Sequence, residues 1–465
     1  SLDNILNLFE KKRKFFEKNS SVKRNSGMEF SLGQKNWIRA KNIIPGGTML
    51  FSKNPDLLMP NKWPAYYSKA KDSYIWDLEK KKYLDFYSMG IGTNLLGYCR
   101  KEIDNAVIEA IKKSNMSTLN SIEEINLAEK LIEIHPWAEM VRFTRSGGEA
   151  NAVAIRIARA ASGKENIAVC GYHGWHDWYL ASNLTNKNNL NTYLMKNLPI
   201  NGVSKKLKNS VFTFDFNNLN QLKKLIKEKN IGIIKMEVHR LEKPKNNFLK
   251  NIRDLANKNR IVLIFDECTS GFRETYGGLH QFYKVEPDIC IFGKALGNGY
   301  AINAIIGKRD IMESAKSTFI SSTFWTERIG SVAAINTLKT MEKMKSWKII
   351  TSLGKKLKRE WKKISKFHSV PISITGLNAI PTFTFNTEKN DHHKYKNYLT
   401  QEMLKTKILA SNTVYLSVTH NHIILKNYFK KLNDVFKKIK DCENEKENFN
   451  NIFKNELSIK GIRQK

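Results

Sequence analysis

Long apolar runs are missing from this chain. No stretch approaches the ~20 consecutive apolar residues that a membrane span needs, and charges interrupt every apolar stretch near the N-terminus, which argues against a signal peptide. Cysteine is scarce as well. The five present (Cys99, Cys170, Cys268, Cys290, Cys442) are an odd number at scattered spacings with no CxxC pair. Neither a disulfide frame nor a zinc cluster is therefore expected, and a reducing cytoplasm is. Acidic residues are outnumbered, 44 against 78 Lys and Arg, for a formal net charge of +34. A basic surface is the footprint of a nucleic-acid binder. Here, however, the lysines are spread along the chain with only mild clusters such as "EKKRKFFEK" and "GKKLKREWKK", and no RNP, KH, zinc-finger or helix-turn-helix signature accompanies them. The charge reads as a solvated surface that steers anionic substrates. Internal repeats are absent too.

What is present is enough for a real core: 465 residues, 41% hydrophobic and 11% aromatic. That length allows two or three domains of roughly 100–200 residues each. Residues 1–30 read as a basic N-terminal helical extension, with Ile5, Leu8, Phe9 and Phe16 near one face. Residues 31–99 carry the turn "IPGG" and a hairpin, Tyr74-Ile75-Trp76-Asp77 against Tyr83-Leu84-Asp85-Phe86. Over 100–345 the segments "MVRFTRS", "NIAVCGY", "SVFTFDF", "IGIIKMEV", "RIVLIFDE" and "DICIFGK" recur, mostly with helical stretches between them. Such alternation points to an α/β fold with a mainly parallel sheet, and sheets of that kind bind ligands beyond the carboxyl ends of their strands. Residues 346–465 read as a smaller α+β unit with "PISITG", "IPTFTFN" and "TVYLSVTHN" as strands and a polar, fraying end. The asparagine-rich segment Ser182 to Asn201 reads as a long loop.

The strand ends carry the chemistry. "DICIFGKALGNG" (Asp288 to Gly299) finishes a buried strand on a long cation, Lys294, next to a loop stripped of side chains. In "RSGGE", Ser146, Gly147 and Gly148 open a helix whose unpaired N–H groups and partial positive charge let a phosphate approach the backbone; any strand-to-helix turn also uses glycine. In "LIFDECTSGFR", Asp266 and Glu267 close a strongly apolar strand, where a carboxylate either pairs with a core cation or holds the protonated nitrogen of a bound ring. "CGYHGWHDWY" crowds two histidines, a tyrosine and two tryptophans around Gly171 and Gly174. His173 and His176 stand at i, i+3 in a loop with no third ligand nearby, so aromatic packing on a flat ligand explains them better than a metal does. A phosphate cradle, an aromatic shelf, a buried aspartate and a strand-end lysine are together the parts that hold pyridoxal phosphate. The lysine forms the Schiff base, and the aspartate keeps the pyridine nitrogen protonated so that the ring acts as an electron sink.

From about Trp37 to Ile439 the chain resembles the class III pyridoxal-phosphate aminotransferases, especially the glutamate-1-semialdehyde aminomutase branch. The motifs that carry the resemblance follow in order: "IPGG", "YIWDLEKKKYLDFY", "VRFTRSGGEANAVAIRIARAASG", "GYHGWHD", "LIFDECTSGFR", "PDICIFGKALGNG" and "SSTFWTERIG". The resemblance implies a fold-type I transferase, with residues 100–345 as the large cofactor-binding domain and 31–99 with 346–465 as the small one. It implies Lys294 as the Schiff-base lysine and Asp266 as partner of the pyridine nitrogen. Tyr172 would stack on the ring with His173 beside it, Cys268 would lie behind it, and Ser146, Gly147 and Gly148 would cradle the phosphate. Thr323 matches a threonine that reaches the phosphate of the neighbouring subunit, which implies a homodimer with shared active sites.

Departures from the family pattern concern the substrate end. Gly148 replaces a usual threonine or serine, and "MEVHR" replaces a Glu-Pro run, leaving His239 or Arg240 near the cofactor. "TMLFSKNP" stands where aminomutases carry Asn-Ser-Pro-Val-Arg, and "LASNTVYLS" offers Ser411 but no glutamate. The expected reaction is transfer of an amino group from an amino acid, glutamate, to a carbonyl acceptor such as a keto-sugar or small aldehyde. Aminomutase chemistry is the alternative, followed by a racemase. A basic nucleic-acid-binding protein on a retired enzyme fold is the rival from another class, and intact Lys294, Asp266 and Tyr172 argue against it.

Overall fold

The computed structural model describes residues 30–196 and 198–461; apart from Phe30, the helical extension expected at the N-terminus lies outside them. The first strands are β1 (Tyr67–Lys71), β2 (Tyr74–Asp77) and β3 (Lys82–Phe86). β2 and β3 form the antiparallel hairpin that the sequence announces. β1 was not foreseen, because "YSKAK" is mostly exposed and carries no apolar alternation.

Seven strands then build one sheet: β4 (Met140–Thr144), β5 (Asn166–Cys170), β6 (Val211–Thr213), β7 (Ile231–Glu237), β8 (Val262–Asp266), β9 (Ile289–Phe292) and β10 (Asn303–Gly307), in the order β4-β10-β9-β8-β7-β5-β6. The pairs from β6 to β9 are all parallel. β10 runs antiparallel to both β4 and β9, so the sheet is mixed and mostly parallel. Its central strands are apolar on both faces, as expected where helices cover both sides. Ile233, Ile264, Ile289 and Ile305 face the helix Gly147–Ser162, which buries Ala150, Val153, Ala154 and Ile157 against them. Ile234, Leu263, Cys290 and Ala304 alternate to the opposite face and pack with Leu127, Ile252 and Leu338. Each fully buried isoleucine or leucine contributes roughly 1.5–3 kcal/mol.

β11 (Ile372–Thr375) and β12 (Thr382–Phe385) pair with each other, and β13 (Ile408–Ala410) joins β3 in parallel. The sequence places a strand over "TVYLSVTHN", but the structure does not. There Val414, Tyr415, Leu416 and Val418 donate their N–H groups to Pro381, Tyr87, Ala379 and Leu95 in turn. Hydrogen bonds shared among separate segments form no ladder. Two further expectations are corrected. The Ser182–Asn201 segment opens with a helical turn, Ser182–Thr185, and is pinned by buried Leu190 and Leu194. Within the described residues, 449–458 dock rather than fray: Phe449, Phe453 and Ser458 are buried, and the Ser458 N–H donates to Asn397 Oδ1 at 2.8 Å.

Candidate active site

β5, β7, β8 and β9 end side by side, and the residues singled out in the sequence meet just beyond their carboxyl ends, where parallel sheets place ligands. Asp266, the last residue of β8, is buried. Its Oδ2 faces His173 Nδ1 at 2.9 Å and Lys235 Nζ at 3.7 Å, while Oδ1 accepts the Cys268 N–H at 3.1 Å. Burial alone would raise this carboxyl. Lys235 and the His173 hydrogen bond outweigh it and hold the group well below the usual carboxylate range. His173 is pushed down, first by burial and then by Lys235, against the pull of Asp266. Its Nδ1–H is spent on Asp266, and the buried Nε2 has no partner among the described residues.

Lys294 follows β9. Its backbone is left-handed (φ 45°), a conformation that a non-glycine residue holds only under constraint. Beside it, at Gly293, a Cβ would run into the Asn303 side-chain amide, which also donates to Cys268 Sγ at 3.5 Å. Lys294 Nζ donates to Thr269 Oγ1 at 2.7 Å. Thr269, three residues beyond Asp266, thus ties the reactive amine to the loop that carries the carboxylate.

The phosphate cradle is the start of the helix Gly147–Ser162. Ser146 caps it and Glu149 closes a capping box, accepting the Arg145 and Ser146 N–H groups at 3.0 and 2.8 Å. A Cβ on Gly147 would lie 3.7 Å from Cys268 Sγ, so the helix start opens directly onto the Asp266 loop. A Cβ on Gly148 would come within 2.6 Å of the His176 ring. The missing hydroxyl at 148 is therefore matched by an imidazole that fills its space. Tyr172 is half-buried, and burial pushes its phenol up; its N–H donates to Glu237 Oε2 at 3.1 Å. Thr323 lies exposed on the turn Thr323–Thr326.

The mouth of the site is cationic, a feature that the sequence reading saw only in part. Arg240 Nη1 reaches Glu237 Oε1 at 2.9 Å and Thr269 Oγ1 at 3.2 Å, so Lys294 and Arg240 share one hydroxyl. His239 turns instead to the Tyr283 hydroxyl at 3.1 Å. Arg273 is fully buried, donates to the Thr269 and Gly92 carbonyls, and lies 5.8 Å from the Tyr415 ring. Burial lowers it to about 10. Lys235 and Thr269 were missed as well. The signal for Lys235 was a lone lysine inside the apolar run "IGIIKMEV"; Thr269 sits one turn beyond Asp266. Glu267, His280 and Cys290 also cluster, within 4.8 Å of one another. There both Glu267 oxygens are taken by Ser270, His280 and the Leu279 N–H, and His280 Nε2 accepts from Trp137. This trio is a satisfied polar core.

Glycines opening a helix, an ionised buried aspartate bonded to a histidine, and a lysine held by a single hydroxyl fit pyridoxal phosphate. Together with the sheet they define a fold-type I pyridoxal-phosphate enzyme. The chain belongs to the class-III aminotransferase family, whose model matches residues 59–440. It is 33% identical over 394 residues to the 3-aminobutyryl-CoA aminotransferase of Cloacimonas acidaminovorans, covering 83% of this chain and 90% of that one. It is 35% identical over 318 residues to the glutamate-1-semialdehyde 2,1-aminomutase of Nitrosopumilus maritimus, covering 66% and 72%. Among solved structures, an omega-transaminase from Sphaerobacter thermophilus superposes with a TM-score of 0.76 at 22% identity, over 91% of this chain and 100% of that one.

Proposed function

We propose that this transaminase takes the amino group of a carboxylate-bearing donor, glutamate, and passes it to a carbonyl acceptor of the keto-sugar or small-aldehyde class. The observation that carries this reading is the shared Thr269 hydroxyl, which accepts from both the Lys294 amine and the Arg240 guanidinium and so sets the two cations one hydroxyl apart. A donor whose amine meets Lys294 finds a cation for its carboxylate within the same span. When bound, pyridoxal phosphate supplies an aldehyde for amines and a ring that stores electrons. The chain supplies the rest. Gly147 and Gly148 offer N–H groups to the phosphate, Tyr172 covers the ring, and Asp266, oriented by His173, holds the ring nitrogen's proton. Lys294 would be the residue that holds the cofactor, and its amine, once free, the base and acid that would move the substrate's proton.

The aminomutase relative supports a second reading, in which the amino group returns to the same carbon skeleton. We further place residues 31–99 and 346–465 in one small domain beside 100–345, on the support of β13 joining β3, and assign the enzyme to the cytoplasm as a homodimer. No helix among the described residues is long and apolar enough to cross a membrane. The test is the visible absorbance of purified protein loaded with pyridoxal phosphate, before and after excess L-glutamate. Replacement of the visible band by a near-ultraviolet one, with release of 2-oxoglutarate, is expected. A loaded protein that glutamate leaves unchanged would overturn the donor, and one isomeric product with no net amine exchange would favour the mutase.

A further inference from the structure

Up to Met236, β7 carries a single polar side chain, Lys235, before Glu237 closes the strand. Lys235 pairs in register with Ile264 on β8 and Val169 on β5, on the face roofed by the helix Gly147–Ser162. It is 0% exposed. Asp266 is its diagonal neighbour, two residues further along β8, a separation that a long side chain spans. The ammonium stops 3.7 Å from Asp266 Oδ2, beyond hydrogen-bond length, and among the described residues Nζ has no hydrogen-bond partner. Burying a cation without hydrogen bonds is costly unless a charge compensates it. The compensating charge here is the one carboxylate assigned to the cofactor ring.

The other groups facing Lys235 do not relieve it. His173, in the loop after β5, lies 2.9 Å from the same Oδ2 and is driven toward its neutral form by burial and by Lys235 itself. Cys268, after β8, is a thiol that burial pushes far above its ordinary range, so it carries no charge; Cys290, on β9, is raised by burial likewise and points to the opposite face of the sheet. The helix over this face presents alanine, valine and isoleucine. Burial accordingly drives the Lys235 amine down from its ordinary value, with Asp266 the main opposing influence.

We propose that Lys235 is the counter-ion of Asp266 in the cofactor-free protein and yields its proton when the pyridine ring takes its place at that carboxylate. The proposal rests on the reading of Asp266 as partner of the ring nitrogen. One buried anion balances one buried cation; a protonated ring beside a charged Lys235 would leave two cations on one carboxylate in a medium of low dielectric. Lys235, unanchored by hydrogen bonds, is the weaker claimant. The bond that breaks is N–H on Lys235 Nζ, the bond that forms is N–H on the ring nitrogen, and charge is conserved. Lys235 thus stores in advance the proton that the ring needs.

The test counts protons. Pyridoxal phosphate is titrated calorimetrically into cofactor-free wild type, Lys235→Met, Lys235→Gln and Lys235→Arg in two buffers of different ionisation heat. Working at about pH 7.5 keeps His173 neutral at the outset, about one unit above an ordinary histidine. In the neutral variants the Cys268 and His173 hydrogen bonds still keep Asp266 ionised, so each should take up about one proton more per site than wild type. Lys235→Arg, whose guanidinium keeps its proton, should bind the cofactor at least tenfold more weakly. Circular dichroism checks folding, and the Met and Gln variants differ enough that one failing to fold leaves the other. Equal proton counts in wild type and a folded neutral variant would overturn the proposal, as would wild-type affinity in Lys235→Arg. A wild type that binds no cofactor, or an Asp266→Asn variant with unaltered affinity and spectrum, would instead overturn the reading of the site.

Discussion

Position 148 and position 176 share one space. The family's usual threonine or serine is glycine here, and the His176 ring stands where its Cβ would go, at 2.6 and 2.7 Å from Cε1 and Nδ1. Gly148→Thr therefore overpacks the cradle, at a cost of about 1–3 kcal/mol, and weakens cofactor binding by displacing the ring. Gly148→Thr combined with His176→Ala relieves the clash. Thermal melts and equilibrium dialysis of the two single variants and the double should show strong non-additivity; additive losses would mean that the two sites do not share space. At this scale the sequence was informative where chemistry leaves a residue little choice. Lys294, Asp266 and Tyr172 stand out at strand ends because a cation, an anion and an aromatic ring are unusual beside buried apolar runs. Lys235 and Arg240 were less legible. For Lys235 the partner, Asp266, stands on the neighbouring strand, and only strand register brings the two together; for Arg240 the partner, Glu237, is three residues back in the chain, and only the fold sets that pair beside Thr269.

His135 joins two elements and fixes their docking. It follows the helix Ile122–Ile134, its Nδ1 lies 2.9 Å from the Leu131 carbonyl, and its Nε2 accepts the Gly278 N–H at 2.9 Å from the loop after β8. Both bonds are satisfied only by the neutral ring with its proton on Nδ1. Burial drives the imidazole down to about 4, with His280 also lowering it. A histidine whose folded value lies below its unfolded value near 6.5 contributes stability that is whole above about pH 6.5 and lost as pH falls toward 4. At about pH 5 the loss is about 2 kcal/mol from this residue. Urea unfolding of wild type and His135→Gln at about pH 7 and pH 5 should show the variant losing less on acidification; parallel losses would clear His135 of the effect. Elements themselves were legible where periodicity was strong, as in the hairpin and the buried strands. β10 was not, because "NAIIG" is five residues directly after a glycine-rich loop. β13 was not foreseen either, because its three residues pair with β3 by tertiary contact rather than by local pattern.

At the scale of the whole molecule, the segment Phe319 to Trp325 is held from behind and bare in front. Arg156 and Arg142 donate to the Phe319 and Ile320 carbonyls at 2.9 Å, and Arg145 donates to the Trp325 carbonyl at 2.8 Å. Three arginines thus fix the backbone. Phe319 and Phe324 nevertheless remain 84% and 69% exposed. Ordered, exposed aromatics mark a contact surface, and Thr323 lies between them. The sequence marks this stretch only through the motif that carries Thr323; that Ile320 and Trp325 pack on the core while Phe319 and Phe324 are left bare is decided by the fold. If a second copy covers it and Thr323 reaches that copy's phosphate, Phe319→Glu/Phe324→Glu should convert the dimer to monomer and weaken cofactor binding at least tenfold. With a net charge of +34 on each copy, salt screening should strengthen association, so sedimentation equilibrium is run at low and at moderate ionic strength. A monomeric wild type at both would overturn the dimer. A monomeric double variant that binds the cofactor with wild-type affinity would keep the dimer and remove Thr323 from the partner's site.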